Sequence, residues 1–341
     1  MIITHKPVIF APEIFMQTSI GNDIEKAIQY LINGGLVAIP TETVYGLAAN
    51  ALNEDAVIKI FEAKNRPSFN PLIVHVGSWA AVEKYVEHIP AKAKILAEKF
   101  TPGPLTFLLQ KKSIIPDIVT AGSEKVAIRI PNHPLTLALL QSLDFPLAAP
   151  SANPFGYISP TTAQHVLENL SGKIPYILDG GAAAVGFEST IIGFDENEQV
   201  LLYRSGGIST EEIELVLNEK VLAAPTLPQK NPETSGQLKS HYAPHTPLYI
   251  GDIDELKKQF EGRQIASISF TKQFDGIDPD KQFVLSKEGS LAEAAKKLFA
   301  ALRAIDTLNA EVILTEKFPN EGIGRAINDR LNRAKADNKS Y

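Results

Sequence analysis

Two cations and a histidine fall close together in "KNRPSFNPLIVHV", residues 64–76. Lys64 and Arg66 stand in a loop punctuated by Pro67 and Pro71, and His75 interrupts the apolar run that follows. In an extended strand Leu72, Val74 and Val76 project to one face, while Ile73 and His75 project to the other. "VAIRI", residues 126–130, repeats the pattern, with Val126, Ile128 and Ile130 opposing Ala127 and Arg129. A strand with one solvent face is the ordinary reading of such alternation. A solvated face, however, normally carries more than one polar residue per strand, so the sparse polarity weakens that reading.

Further clusters of small polar groups follow strand candidates. "PTETVYGLA", residues 40–48, opens a loop with two threonines and a glycine. Hydroxyls and exposed amides there suit an anionic or zwitterionic ligand; a tight strand-to-helix connection is the equal alternative. "APSANPFGYISPTTAQHV", residues 149–166, brings Ser151, Asn153 and Ser159 together, and Thr161 or Thr162 can cap the next helix. A helix N-terminus beside hydroxyls can receive phosphate, although capped, proline-rich loops are common. "FESTIIGF" places Ser189 and Thr190 at a strand start, and "LYRSGGI" places Arg204 at a strand end before glycines that permit close backbone approach.

The elements that must position these groups read as alternating strands and helices. Residues 22–33 form an amphipathic helix, capped by Asn22 or Asp23 and stopped by Gly34-Gly35, and "LVAI" follows as a buried strand. Residues 53–64 form a helix capped by Asn53. Strands are expected near 104–110, 126–130, 146–149, 176–179, 190–194 and 200–204, and helices near 91–99, 134–143, 161–170 and 209–219. This is an α/β unit. Residues 220–246 break the pattern with four prolines and Ser235-Gly236, as a linker does, yet they carry His241, Tyr242 and His245. Beyond it, "PLYIG", "QIASISF", "QFVLS" and "EVILTEKF" alternate with three amphipathic helices, which predicts a small parallel-sheet domain.

Composition narrows the function. The 341 residues are 44% hydrophobic and 21% charged, as in a globular protein of two or three domains. A net charge of -6 argues against a surface coated with bases to grip nucleic acid, although a local basic groove remains compatible. With no cysteine, disulfides, zinc fingers, iron–sulfur clusters and cysteine nucleophiles are excluded. Neither a signal peptide nor a membrane-spanning run is evident, so a cytoplasmic protein without membrane contact is expected. GxGxxG, the P-loop, HExxH and GxSxG are all absent.

Taken in order, "PTETVYGLAAN", "KNRPSFNPLIVHV", "FTPGPLTFLL", "VAIRIPNHP", "APSANPFGYISPT", "FESTIIGF" and "YRSGGI" resemble the YrdC-like family across about 200 residues. "SGQLKSHYAPHTPL" and the small domain after it resemble the long form of the family's threonylcarbamoyl-AMP synthases. The resemblance implies a YrdC-like twisted mixed sheet with flanking helices over 1–218, a linker or lid over 219–246, and a smaller Rossmann-like α/β domain over 247–341. It implies that L-threonine, bicarbonate and ATP give threonylcarbamoyl-AMP and pyrophosphate, with Mg²⁺ accompanying ATP and held mainly by phosphates. Partner proteins would then transfer the threonylcarbamoyl group to tRNA beside the anticodon, and a weak direct tRNA contact is compatible.

By motif, Lys64, Arg66, Asn70, Ser151, Ser159, Arg204 and Tyr242 are expected at ATP, with the backbone near Lys125. Asn70 stands where the family is often more basic. Thr43, His75, Arg129, Ala149 and Ser189 are expected at threonine; the Arg129 fork matches a carboxylate in two-point fashion. No residue is an expected nucleophile. Lys64 and Arg66 would act electrostatically, with the substrate carbamate as the attacking group. Two alternatives stand beside this reading. One is an RNA-binding module without catalytic activity. The other is carbamoyl transfer in hydrogenase maturation, whose proteins carry zinc-binding cysteines that this chain lacks.

Overall fold

The computed structural model describes residues 17–225, 233–236 and 242–335. His241 lies outside the described residues. The first unit is built on an eleven-stranded mixed sheet. From one edge to the other its strands are Ser19–Gly21, Tyr176–Leu178, Val37–Ile39, Gly46–Asn50, Leu147–Ala148, Ile73–His75, Lys125–Arg129, Leu105–Gln110, Thr190–Phe194, Val200–Arg204 and Leu222–Ala223.

The alternation read from the sequence sets which side of this sheet is core. Leu72, Val74 and Val76 join Val126, Ile128 and Ile130 in the main apolar cluster, whereas Ile73, His75 and Arg129 line a pocket on the opposite side. Neither face of these strands is solvated: His75 and Arg129 are 3% and 4% exposed. Helix Glu54–Lys64 starts where Asn53 accepts from the Ala56 amide. It ends at left-handed Asn65, with Ala56, Val57, Ile60 and Phe61 buried in the same cluster. The chain then enters the 66–71 loop directly beneath the pocket.

Two expectations change. Residues 40–48 are not a strand-to-helix connection. They turn into strand Gly46–Asn50, which pairs antiparallel with Val37–Ile39. "GLAAN" has no β-branched or aromatic residue to announce a strand; burial between neighbouring strands overrides its weak propensity. Gly46 fits there because a Cβ would stand 3.2 Å from that of Ala149. The first sheet also runs past residue 218. Leu222–Ala223 adds a parallel edge strand, since the Glu214 carboxylate accepts from the Val221 amide and the Ala224 amide donates to the Leu202 carbonyl.

The second unit is a four-stranded, all-parallel sheet in the order Leu248–Ile250, Val312–Thr315, Ile265–Ser269, Gln282–Val284. Helix Leu291–Asp306 packs Leu298, Phe299 and Leu302 into a cluster that also contains Val44, Ile158, Phe187 and Tyr242. The two units therefore share one apolar junction. Phe187 stacks on Phe299 with centroids 5.5 Å apart, and Tyr242 stacks on the same ring at 5.7 Å. Burial of each such aromatic stabilises the junction by about 1.5–3 kcal/mol. At Gly186 a Cβ would lie 2.5 Å from the Lys296 carbonyl oxygen, so only glycine lets this turn reach the helix.

Candidate active site

The pocket is a small, open cavity of about 50 Å³. Thr43, Arg66, His75, Arg129, Ala149, Ser151, Ser189, Arg204 and Tyr242 line it, so the structure brings together most of the residues singled out by motif.

One wall is a row across three adjacent strands. His75 is in register with Arg129, and Arg129 with Thr106. Thr106 shares a 2.7 Å hydrogen bond with Ser189. Arg129 Nη2 donates to Glu42 Oε1 at 2.7 Å and its Nε to the Gly103 carbonyl at 3.3 Å. The other Glu42 oxygen accepts from the Asn132 amide. Glu42 thus fixes the plane of the Arg129 fork. Burial, aided by the Arg129 charge, pulls the His75 imidazole down to about 3, so it is neutral at physiological pH. Its Nδ1 is buried without a hydrogen-bond partner.

The opposite wall is made of loops. Arg66 donates from Nε to the Asn70 carbonyl and from Nη2 to the Pro71 carbonyl, closing the proline turn on itself. Burial pulls its guanidinium below the ordinary range. The Asn70 side chain is fully buried with both polar atoms unpaired and lies outside the pocket lining. Lys64 stands behind this wall. Its Nζ donates to the Ser151 and Asn153 carbonyls, clamping the loop whose Ser151 lines the pocket. Burial, then the nearby Arg66, lowers the Lys64 pKa well below its usual value.

Arg204 holds the third wall. Its Nη2 donates to the Ser189 carbonyl at 2.9 Å and Oγ at 3.1 Å, and its Nη1 reaches Ser235 at 3.3 Å. Ser235, Gly236 and Tyr242, all from the linker, complete the pocket. Four expected residues lie off the lining: Lys64 and Asn70, described above, and also Ser159 and Lys125. Ser159 Oγ donates to Glu188 Oε1 at 2.7 Å, one step behind the cavity. Lys125 begins the Arg129 strand at its far end, and its side chain points to Glu233, 3.7 Å away.

Sequence reasoning passed over Glu42, Thr106, Glu188 and Gly236. Glu42 and Glu188 sat inside the quoted motifs, but their partners, Arg129 and Arg330, lie 87 and 142 residues away. No spacing rule reaches that far. Three buried guanidiniums around one cavity, two of its carboxylates neutralised by arginine, make a site for an anionic ligand.

Comparison with known proteins agrees with this geometry. A family model for the Sua5/YciO/YrdC domain, described as "Telomere recombination", matches residues 29–206. A second model, for the threonylcarbamoyl-AMP synthase C-terminal domain, matches residues 208–336. The threonylcarbamoyl-AMP synthase of Pyrococcus abyssi is 42% identical over 325 residues, covering 91% of this chain and 93% of that protein. That of Bacillus subtilis is 41% identical over 321 residues, covering 91% and 92%. The crystal structure of P. abyssi Sua5 complexed with L-threonine superposes with a TM-score of 0.85 at 39% identity, over 93% of this chain and 96% of that one. With both models placed end to end on the described fold, the chain belongs to the Sua5/YciO/YrdC family, in the long form that carries the synthase C-terminal domain.

Proposed function

We propose that the pocket binds L-threonine, bicarbonate and ATP and joins them as threonylcarbamoyl-AMP, releasing pyrophosphate. The observation that carries this reading is the buried Arg129, held flat by Glu42 beside neutral His75 and Thr43, in a chain that superposes on a threonine-bound relative. The Arg129 fork receives the threonine carboxylate. Thr43, His75, Ser189 and the Ala149 backbone surround the rest of the amino acid. The threonine amine adds to carbon dioxide derived from bicarbonate and loses a proton, giving a carbamate. A carbamate oxygen attacks the α-phosphorus of ATP, and the bond to the bridging oxygen breaks as pyrophosphate departs.

Arg66 and Arg204 face the charge that accumulates on the phosphates, with Ser151 beside them in the lining and Asn70 and Ser159 behind it. Lys64 braces the Ser151 loop from beneath, and a triphosphate there would oppose the lowering of its pKa. The carbamate is unstable in water, so closure by Ser235, Gly236 and Tyr242 serves to keep water out. No side chain acts as a nucleophile; positioning and electrostatics provide the acceleration.

Magnesium would arrive with ATP and neutralise phosphate charge. Glu42 and Glu188 are already paired with arginines, and no cluster of three His, Asp or Glu forms among the described residues. That donor set fits an ion held by phosphate oxygens and water. The product would pass to proteins that transfer its threonylcarbamoyl group to tRNA, in the cytoplasm. No helix of the described residues is long and apolar enough to cross a membrane.

Calorimetric titration tests the two halves separately. Wild type is expected to bind threonine and magnesium ATP, and Arg129→Ala to lose threonine while keeping ATP. Loss of ATP alone from Arg129→Ala would contradict the assignment.

A further inference from the structure

The largest fully buried side chain among the described residues, Arg330, comes from the second domain, on helix Gly324–Ala334. Its Nε donates to Glu188 Oε2 at 3.1 Å, its Nη2 to the Ser205 carbonyl at 2.9 Å, and its Nη1 to Asp329 at 2.7 Å. The guanidinium lies over the ring of Phe187 at 4.8 Å and that of Tyr242 at 5.0 Å. Burial alone would lower its pKa, but the Tyr242 oxygen and the Glu188 and Asp329 carboxylates more than reverse this, so the charge is held firmly.

The contacts of Arg330 converge on one side of the pocket. Glu188 lines the cavity, and its other oxygen accepts from Ser159. Ser205 follows Arg204, and Tyr242 is the linker residue in the pocket wall. No hydrogen bond or ion pair with Arg330 is made by Thr43, His75 or Arg129 among the described residues; His75 and Arg129 sit on first-domain strands, Arg129 is paired with Glu42, and Thr43 is bonded to Thr41. As a stabilising device alone, a buried ion pair of this kind gains little over apolar residues of the same size. A five-donor fork, by contrast, fixes several groups at once.

We propose that Arg330 is a positioning residue through which the second domain sets the nucleotide half of the pocket, acting on Glu188, the Ser205 carbonyl and the Tyr242 ring. This rests on the reading that ATP occupies that half. It gives the second domain a task in the reaction: without its arginine, Ser159, Arg204 and Tyr242 lose their common support.

The test titrates the full chain with magnesium ATP and, separately, with threonine. The variants are Arg330→Ala, Arg330→Lys and the double variant Glu188→Gln/Arg330→Met, which removes both charges of the pair and so avoids an unpaired buried carboxylate. ATP affinity is expected to fall at least about tenfold in Arg330→Ala and in the double variant, with threonine affinity kept within about threefold. Arg330→Lys restores a cation without the fork and is expected to recover only part of the loss. A folded double variant that binds ATP as tightly as wild type overturns the proposal, as does an equal loss of both ligands. Wild type that binds threonine but not ATP, or neither, overturns the underlying reading and the proposal with it.

Discussion

The two halves of the pocket, proposed above for the amino acid and for the nucleotide, are built differently. The amino-acid half is a row of side chains on in-register strands, His75 beside Arg129 beside Thr106, with the sheet's own hydrogen bonds setting the spacing. The nucleotide half is assembled from the 66–71 turn, the Ser151 loop, the linker and an arginine of the second domain. One half is carried by the first domain's sheet, with Glu42 orienting Arg129. The other is complete only when two domains and the segment between them have docked. On the proposed assignment, the small substrate meets a recess on the sheet and the large one a wall of loops, linker and second-domain side chain.

Substitutions can break this division, beginning with the strongest. Arg129→Ala strands Glu42 in a buried site, and breaking such a pair costs about 3–5 kcal/mol. We expect a loss of about 10²–10³ in kcat/KM for threonine and a lower Tm, with ATP affinity nearly unchanged. Steady-state kinetics with each substrate varied in turn checks this. Arg66→Ala should do the converse. Loss of charged hydrogen bonds worth about 1.5–3 kcal/mol weakens ATP binding by roughly 10–100-fold and leaves threonine alone.

Gly236→Ala probes the linker. Gly236 has φ +85°, and an added Cβ would stand 2.8 Å from the Tyr242 hydroxyl. Left-handed strain of about 1–2 kcal/mol should weaken ATP by up to about tenfold, read by the same titration; unchanged affinity would show that the linker does not shape the nucleotide half.

The dryness of the amino-acid half has a pH signature. Burial holds His75 down to about 3 in the folded chain, whereas an unfolded histidine titrates near its ordinary value of about 6.5. The unfolded state therefore binds the extra proton between these values, and stability is lost as pH falls from 6.5 towards 3. The slope due to this one residue is up to about 1.4 kcal/mol per pH unit. Chemical denaturation across that window should give a slope shallower in His75→Gln than in wild type by this one residue's share; equal slopes would contradict the reading. The smallest effect belongs to Lys125→Ala. Its part-exposed pair with Glu233 is worth at most about 1 kcal/mol, and ATP affinity should stay within about twofold.

The same contrast explains what could be read in the sequence. Alternation in "LIVHV" and "VAIRI" placed His75 and Arg129 on a common face because strand geometry is local, and Asn53 announced its helix because a cap acts over three residues. The strand Gly46–Asn50 stayed hidden because its small residues carry no propensity signal. Lys64 was expected to face phosphate, yet its amine turns back onto the carbonyls of a loop some 87 residues away. Glu188 and Arg330 meet across 142 residues and two domains, a pairing that no local pattern announces.

The most direct measurement is pyrophosphate release from ATP by the full chain with magnesium, with threonine and bicarbonate supplied singly and together. We predict release that requires both, accompanied by a threonylcarbamoyl adenylate. No release with all substrates present, or release at the same rate without threonine, would contradict the assignment of this pocket.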